Sequence, residues 1–160
     1  MWNEKEHLMG GHSLSNIDRL SERLDKKYRN KILTLKIMRK VRDDLIQLRN
    51  RLADVIEVSD NRIEIRKDNN QNEVLYFKLM SSPAEFRTVI SEGKAYLQVR
   101  DPETQLVHVV LQINSSEELL PLVSINNPCS YSIHISELVD FIIGVVCFSN
   151  DFENGPVVAQ

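Results

Sequence analysis

The chain has 160 residues, 42% hydrophobic and 27% charged, with a net charge of −3, a balance that suits one domain of ordinary size, or a smaller one with an appendage, and argues against wholesale disorder. No apolar run approaches the roughly 20 residues that span a bilayer, which argues against a membrane protein, and two cysteines are too few for a disulfide scaffold, which favours the cytoplasm or nucleus. The small total hides an asymmetry: twelve Lys and Arg against four acids give residues 19–51 a charge of +8, so the rest of the chain carries −11, as expected of two modules with different surfaces.

In chain order, residues 1–13 hold Trp2, Gly10-Gly11 and two histidines without any period and read as a flexible leader, lacking the pattern of a signal peptide. Ser13 or Ser15 can cap a helix by satisfying one of the free N–H groups of its first turn. A basic coiled-coil helix is expected over residues 14–58. Its clearest part is the stripe Met38, Val41, Leu45, Leu48, Leu52 and Val55, spaced alternately by three and four, which is the pattern of an oligomerisation seam between helices. Ile17, Leu20, Leu24, Tyr28, Ile32 and Leu35 continue that stripe toward the N-terminus in a less regular register. A helix of about 40 residues extends about 60 Å, too far to lie wholly on a head whose radius is about 13 Å. Asp44 at a g position and Arg49 at the following e position favour a parallel homodimer.

From residue 59 to 148 the pattern changes to that of a small α+β head. Arg62–Arg66 alternates polar and apolar, 68–72 is a turn cluster, and Val74–Leu79 returns, predicting a hairpin. Phe86–Ile90, a turn at Glu92-Gly93, Ala95–Arg100, a turn at Asp101–Thr104 and Leu106–Ile113 continue an antiparallel meander. Asn114–Glu118 has cap chemistry and early acids, so a short helix is expected over Leu119–Val123, stopped by Pro128. Tyr131–Ile135 reads as a last strand and Glu137–Phe148, capped by Ser136, as a terminal helix. Residues 149–160 are expected to be a flexible tail. The fold class is therefore α+β: a long N-terminal helix, then an antiparallel-sheet head with two helices.

No catalytic signature is present. There is no glycine-bounded nucleophile turn, no phosphate loop, and no close cysteine pair of the kind zinc sites use, although Cys129, His134, Cys147 and His108 are ligand types. We therefore assign no catalytic residue, no metal and no cofactor. The basic residues Lys26, Lys27, Lys36, Arg39, Lys40 and Arg42 are candidates for contact with nucleic acid or an acidic protein. Tyr76, Phe77, Phe86 and Tyr96 cannot all point inward on alternating strands, so some are candidates for a docking patch on the head.

A coiled-coil seam over Met38–Val55 leading into strands Arg62–Lys67 and Val74–Leu79, and then into the strand-to-helix passage from Tyr131 to Ile142, resembles the RWD-like heads of kinetochore coiled-coil proteins of the monopolin type. The resemblance implies a non-enzymatic adaptor that dimerises through its stalk and binds a protein partner through its head. The alternatives are a nucleic-acid-binding protein using the basic helix, or a small viral or bacterial effector or chaperone.

Overall fold

The computed structural model describes residues 15–124, 127–128 and 131–149. Helix α1 spans Asn16–Arg51, and Ser15 caps it, its Oγ accepting the Asp18 N–H at 3.1 Å. Its 36 residues extend about 54 Å at 1.5 Å per residue. After a slight break at Leu52, the five-residue α2 (Ala53–Glu57) continues the chain, with the Ile56 N–H donating to Leu52 O at 2.9 Å.

The strands are β1 (Arg62–Lys67), β2 (Glu73–Leu79), β3 (Ser82–Ser91), β4 (Lys94–Arg100), β5 (Val107–Ile113), β6 (Glu118–Ser124), β7 (Asn127–Pro128) and β8 (Ile133–His134). They form one antiparallel sheet in the order β1-β2-β3-β4-β5-β6-β7, with β8 also paired to β6. A 3-10 turn (Ile135–Glu137) leads into α3 (Leu138–Phe148). The α+β class expected from the sequence is what the structure shows.

Local chemistry explains the meander. The Asp68 carboxylate accepts the Asn70 and Asn72 N–H groups at 2.8 and 2.9 Å, which closes the β1–β2 turn. Met80 and Ser81 carry φ of 54° and 65°, and Glu92 and Gly93 carry 52° and 76°, so both two-residue hairpins have the positive-φ pair of a type I′ turn, which matches strand twist. The Asp101 carboxylate caps the β4–β5 turn by accepting from Glu103 N and Thr104 N.

The residues expected to form a short helix, Leu119–Val123, instead belong to β6. Ser115 Oγ accepts the N–H groups of Glu117 and Glu118, both at 3.1 Å, so the cap-like sequence closes a turn within a hairpin and starts no helix. Ser136 does not cap α3 either; the His134 side chain accepts the Ser136 N–H, and the 3-10 turn intervenes. The head therefore holds a single α-helix of its own, α3, among the described residues.

Both α1 and α3 pack on one face of the sheet. Leu75, Phe77, Phe86, Leu97, Val99 and Leu111 supply the sheet side of the core, Ile37, Val41 and Leu45 the α1 side, and Leu138 and Ile142 the α3 side. Phe77 and Phe86 meet with ring centroids 6.0 Å apart. Thr34, buried in the same face of α1, satisfies its hydroxyl by donating to Lys31 O at 2.8 Å.

Candidate interaction surfaces

The stripe expected to zip two chains together lies largely on the chain's own sheet. Val41 and Leu45 are fully buried, and Met38, Leu48 and Leu52 are partly buried against the same core, while Val55 is 48% exposed. A stripe on one face of a helix serves a sheet as well as a second helix, and here the sheet takes it. From Leu33 to Ile56 the helical segment therefore packs on the sheet with the head's own core, so the expected boundary at 58/59 does not coincide with where the packing begins. Asp44 is 2.8 Å from Lys40 of the same helix, so a pairing of Asp44 with Arg49 across a parallel dimer would compete with a contact inside the chain.

Beyond the sheet the character of α1 changes. Asn30 Nδ2 donates to Gly93 O at 3.0 Å, tying the tip of the β3–β4 hairpin to the helix. On the N-terminal side of that tie the sheet-facing positions become Arg19, Arg23, Lys26 and Lys27, while apolar residues shift about 100° around the helix. Ile17, Leu20, Leu24 and Tyr28 lie 75%, 58%, 44% and 44% exposed. At steps of three, four and four residues they share one face, and Leu35, also exposed, continues it.

That face runs into a groove of about 1,010 Å³ between α1 and the β3 end of the sheet. Lys31, Leu35, Met38, Arg39 and Arg42 form its helical wall, Phe86, Thr88 and Ile90 its strand wall, and Asp68 with Gln71 to Val74 part of its end. The groove exists because β3 outlasts its pairing with β2. The β2–β3 ladder ends at Leu75↔Phe86, whereas β3 remains paired to β4 as far as Ser91↔Lys94. Asp68, Glu73 and Glu85 are all engaged here. Asp68 caps its own turn, Glu73 lies 3.2 Å from Arg42 Nε, and Glu85 lies 3.4 Å from Arg100. Asp43 lies 3.5 Å from Arg42. Lys31 and Arg39 have no ion pair among the described residues.

The six basic candidates separate. Lys40 and Arg42 are committed to Asp44 and to Asp43 and Glu73, and Lys27 Nζ sits 5.3 Å from the Tyr28 ring centroid. Lys26 and Lys36 are exposed on faces away from the groove, and Arg39 stands on its rim. They form no single patch.

The aromatic candidates separate too. Phe77 and Phe86 are core residues, which removes Phe77 from any docking patch and leaves Phe86 only an edge at the groove. Tyr76 lies on the opposite face, yet is only 5% exposed because Arg62 and Arg66 cover its ring at 5.6 and 4.7 Å. Tyr96 shares that outer face, half-buried between Val89 and Gln112 in the register.

Among the metal-ligand types, His108 Nε2 is 2.9 Å from Pro83 O and Cys147 Sγ donates to Leu79 O at 3.7 Å, so each serves a local contact. Burial pushes the Cys147 thiol above its usual pKa. Cys129, Ser13, and the leader and most of the tail segment lie outside the described residues. No group of three His, Cys, Asp or Glu side chains is placed to hold a metal, and no helix is long and apolar enough to cross a membrane, among the described residues.

No protein-family model, curated protein or solved structure matches this chain.

Proposed function

We propose that the chain is a non-enzymatic, oligomerising adaptor that associates through the projecting N-terminal half of α1 and binds a protein partner through its head. One observation carries this reading: a helix that leaves its sheet at Asn30 keeps four large apolar side chains on one exposed face, where a solvated helix would be polar. Covering that face with another helix buries them at a gain of about 25 cal/mol per Å². The association surface is therefore Ile17, Leu20, Leu24 and Tyr28, with a second copy as the simplest partner. The adaptor role implied by the RWD resemblance fits this division of labour. Nucleic-acid binding is less supported, because two of the six basic candidates are already ion-paired and the rest lie on different faces.

Light scattering on the full chain at micromolar concentration tests the proposal. The expected result is a mass of two or more chains, reduced to one by Leu20→Lys with Leu24→Lys at unchanged thermal stability. A wild-type mass of one chain would overturn self-association through this helix.

A further inference from the structure

The groove beside β3 has the features of a peptide site. In a two-residue hairpin the closing pair is hydrogen-bonded and the pattern alternates from there. Counting from Ser91↔Lys94, the odd residues of β3 bond to β4; counting from Leu79↔Ser82, the even residues bond to β2. Phe86 is the last even residue with a β2 partner. The N–H and C=O groups of Thr88 and Ile90 therefore point toward the groove without a β2 partner: β2 runs on to Glu73, opposite Thr88 in the register, but no longer pairs there, and Ile90 lies past its end.

We propose that the groove accepts an extended peptide as an added strand on β3, with side chains in the order acidic, apolar, acidic at every second position. The proposal rests on the adaptor reading and assigns the partner class of the head, on residues separate from the projecting stripe.

Backbone bonds to Thr88 and Ile90 supply the pairing, and the alternate side chains supply selectivity. Every second residue of an added strand points toward α1, repeating at about 6.7 Å. Lys31, Leu35 and Arg39 lie one below another on α1 at four-residue steps of about 6 Å. The two repeats match, so carboxylates meet Lys31 and Arg39 while an apolar side chain meets Leu35 and Ile90, both more than half exposed. The charges choose the sign: the carboxylates around the groove are engaged, and these two cations have no described ion pair. A basic peptide finds no free acid there.

The probe is a fluorescein-labelled pentapeptide with glutamate at both ends, valine at the centre and threonine between, titrated into the full chain by anisotropy. We expect saturable binding, at least tenfold weaker when both glutamates are replaced by lysine. Lys31→Glu with Arg39→Glu should reverse that preference, and both positions are exposed, so the fold is kept. Amide exchange gives the second readout: Thr88 and Ile90 should exchange quickly in the free chain and at least tenfold more slowly with peptide, with Leu97 unchanged. Absence of saturable binding, indifference to peptide charge, or slow exchange at Thr88 and Ile90 before peptide is added would each overturn the proposal. The last result would mean that the edge is filled by the chain itself or by a second copy. Failure here leaves the light-scattering result on Leu20 and Leu24 untouched, and the converse also holds.

Discussion

Replacing Leu45 with Ala separates the two places where the long apolar stripe of α1 could spend its burial. Leu45 is fully buried between α1 and the sheet. Removing three carbon equivalents forfeits about 2.4 kcal/mol of transfer free energy at ~0.8 kcal/mol each, and the cavity left behind raises the cost to about 3–4 kcal/mol. That is a large share of the 5–15 kcal/mol by which domains are stable. With a urea slope of about 2 kcal/mol per M, the unfolding midpoint falls by roughly 1.5–2 M. The same substitution at Leu24, which the sheet does not cover, should cost under about 0.5 kcal/mol in the monomer. The assay is urea unfolding followed by circular dichroism at two protein concentrations tenfold apart. A seam buried within one chain gives a Leu45→Ala loss independent of concentration, whereas a seam between chains gives one tied to mass action. A loss under about 1 kcal/mol for Leu45→Ala, accompanied by a drop from dimer to monomer, would refute the placement of this stripe on the sheet.

Three further outcomes follow from the geometry. Met80→Asn with Ser81→Gly should raise stability by about 1 kcal/mol in the same urea assay, because both positions have positive φ and the new pair suits a type I′ turn while Met80 N–H can still donate to Asn61 Oδ1. Slight desolvation raises the Asp101 pKa, but the N–H groups of Glu103 and Thr104 outweigh it and hold the carboxyl below its ordinary value. A lowered folded pKa contributes stability that is present above the unfolded value and lost as pH falls through the folded one. Asp101→Ala should therefore cost about 0.5–1 kcal/mol at pH 7, the worth of a capping side chain, with the gap to wild type narrowing as urea midpoints are taken below pH 4. Because burial raises the Cys147 thiol pKa, its thiolate is scarce at neutral pH, and iodoacetamide should alkylate it at pH 7 more slowly than glutathione, as read by peptide mass spectrometry.

The sequence made the class of fold and most strand positions legible, because alternation and turn chemistry are local. Residues 62–67, 74–79 and 95–100 alternate, and Asp68, Glu92-Gly93 and Asp101 mark their turns. It could not say what covers the stripe from Met38 to Val55. An ideal helix drifts only about 20° per heptad from a 3.5-residue repeat, so over fewer than three heptads a seam for a helix and a seam for a sheet look alike. Leu119–Val123 misled for a related reason. Leu119 and Leu122 point to opposite faces and both are buried, so β6 shows an unbroken apolar run with no alternation to betray it. The groove had no local mark at all. It comes from the point at which β2 stops pairing with β3, visible only once the register is known, and Thr88, a principal residue in it, is unremarkable in the sequence.

The change along α1 ties these observations together. From Thr34 onward its apolar face points at the sheet and is consumed there; before Asn30 the sheet-facing positions are Arg and Lys, and the apolar face has turned by about 100°. A helix that merely overhung its head would lose apolar character as it left the sheet, since exposed Ile, Leu and Tyr offer the monomer nothing that Lys or Glu would not. Ile17, Leu20, Leu24 and Tyr28 instead hold to one face over three turns and reach the groove at Leu35. The helix thus carries two apolar faces in series, one spent within the chain and one exposed. The groove lies where they meet, so that a strand added to β3 would run beside the end of whatever helix covers the projecting face. Occupancy of one site should then be felt at the other, and titrating the acidic peptide into Leu20→Lys with Leu24→Lys, against wild type, measures that coupling. A shift in affinity of threefold or more places both partners on one continuous surface; equal affinities separate them.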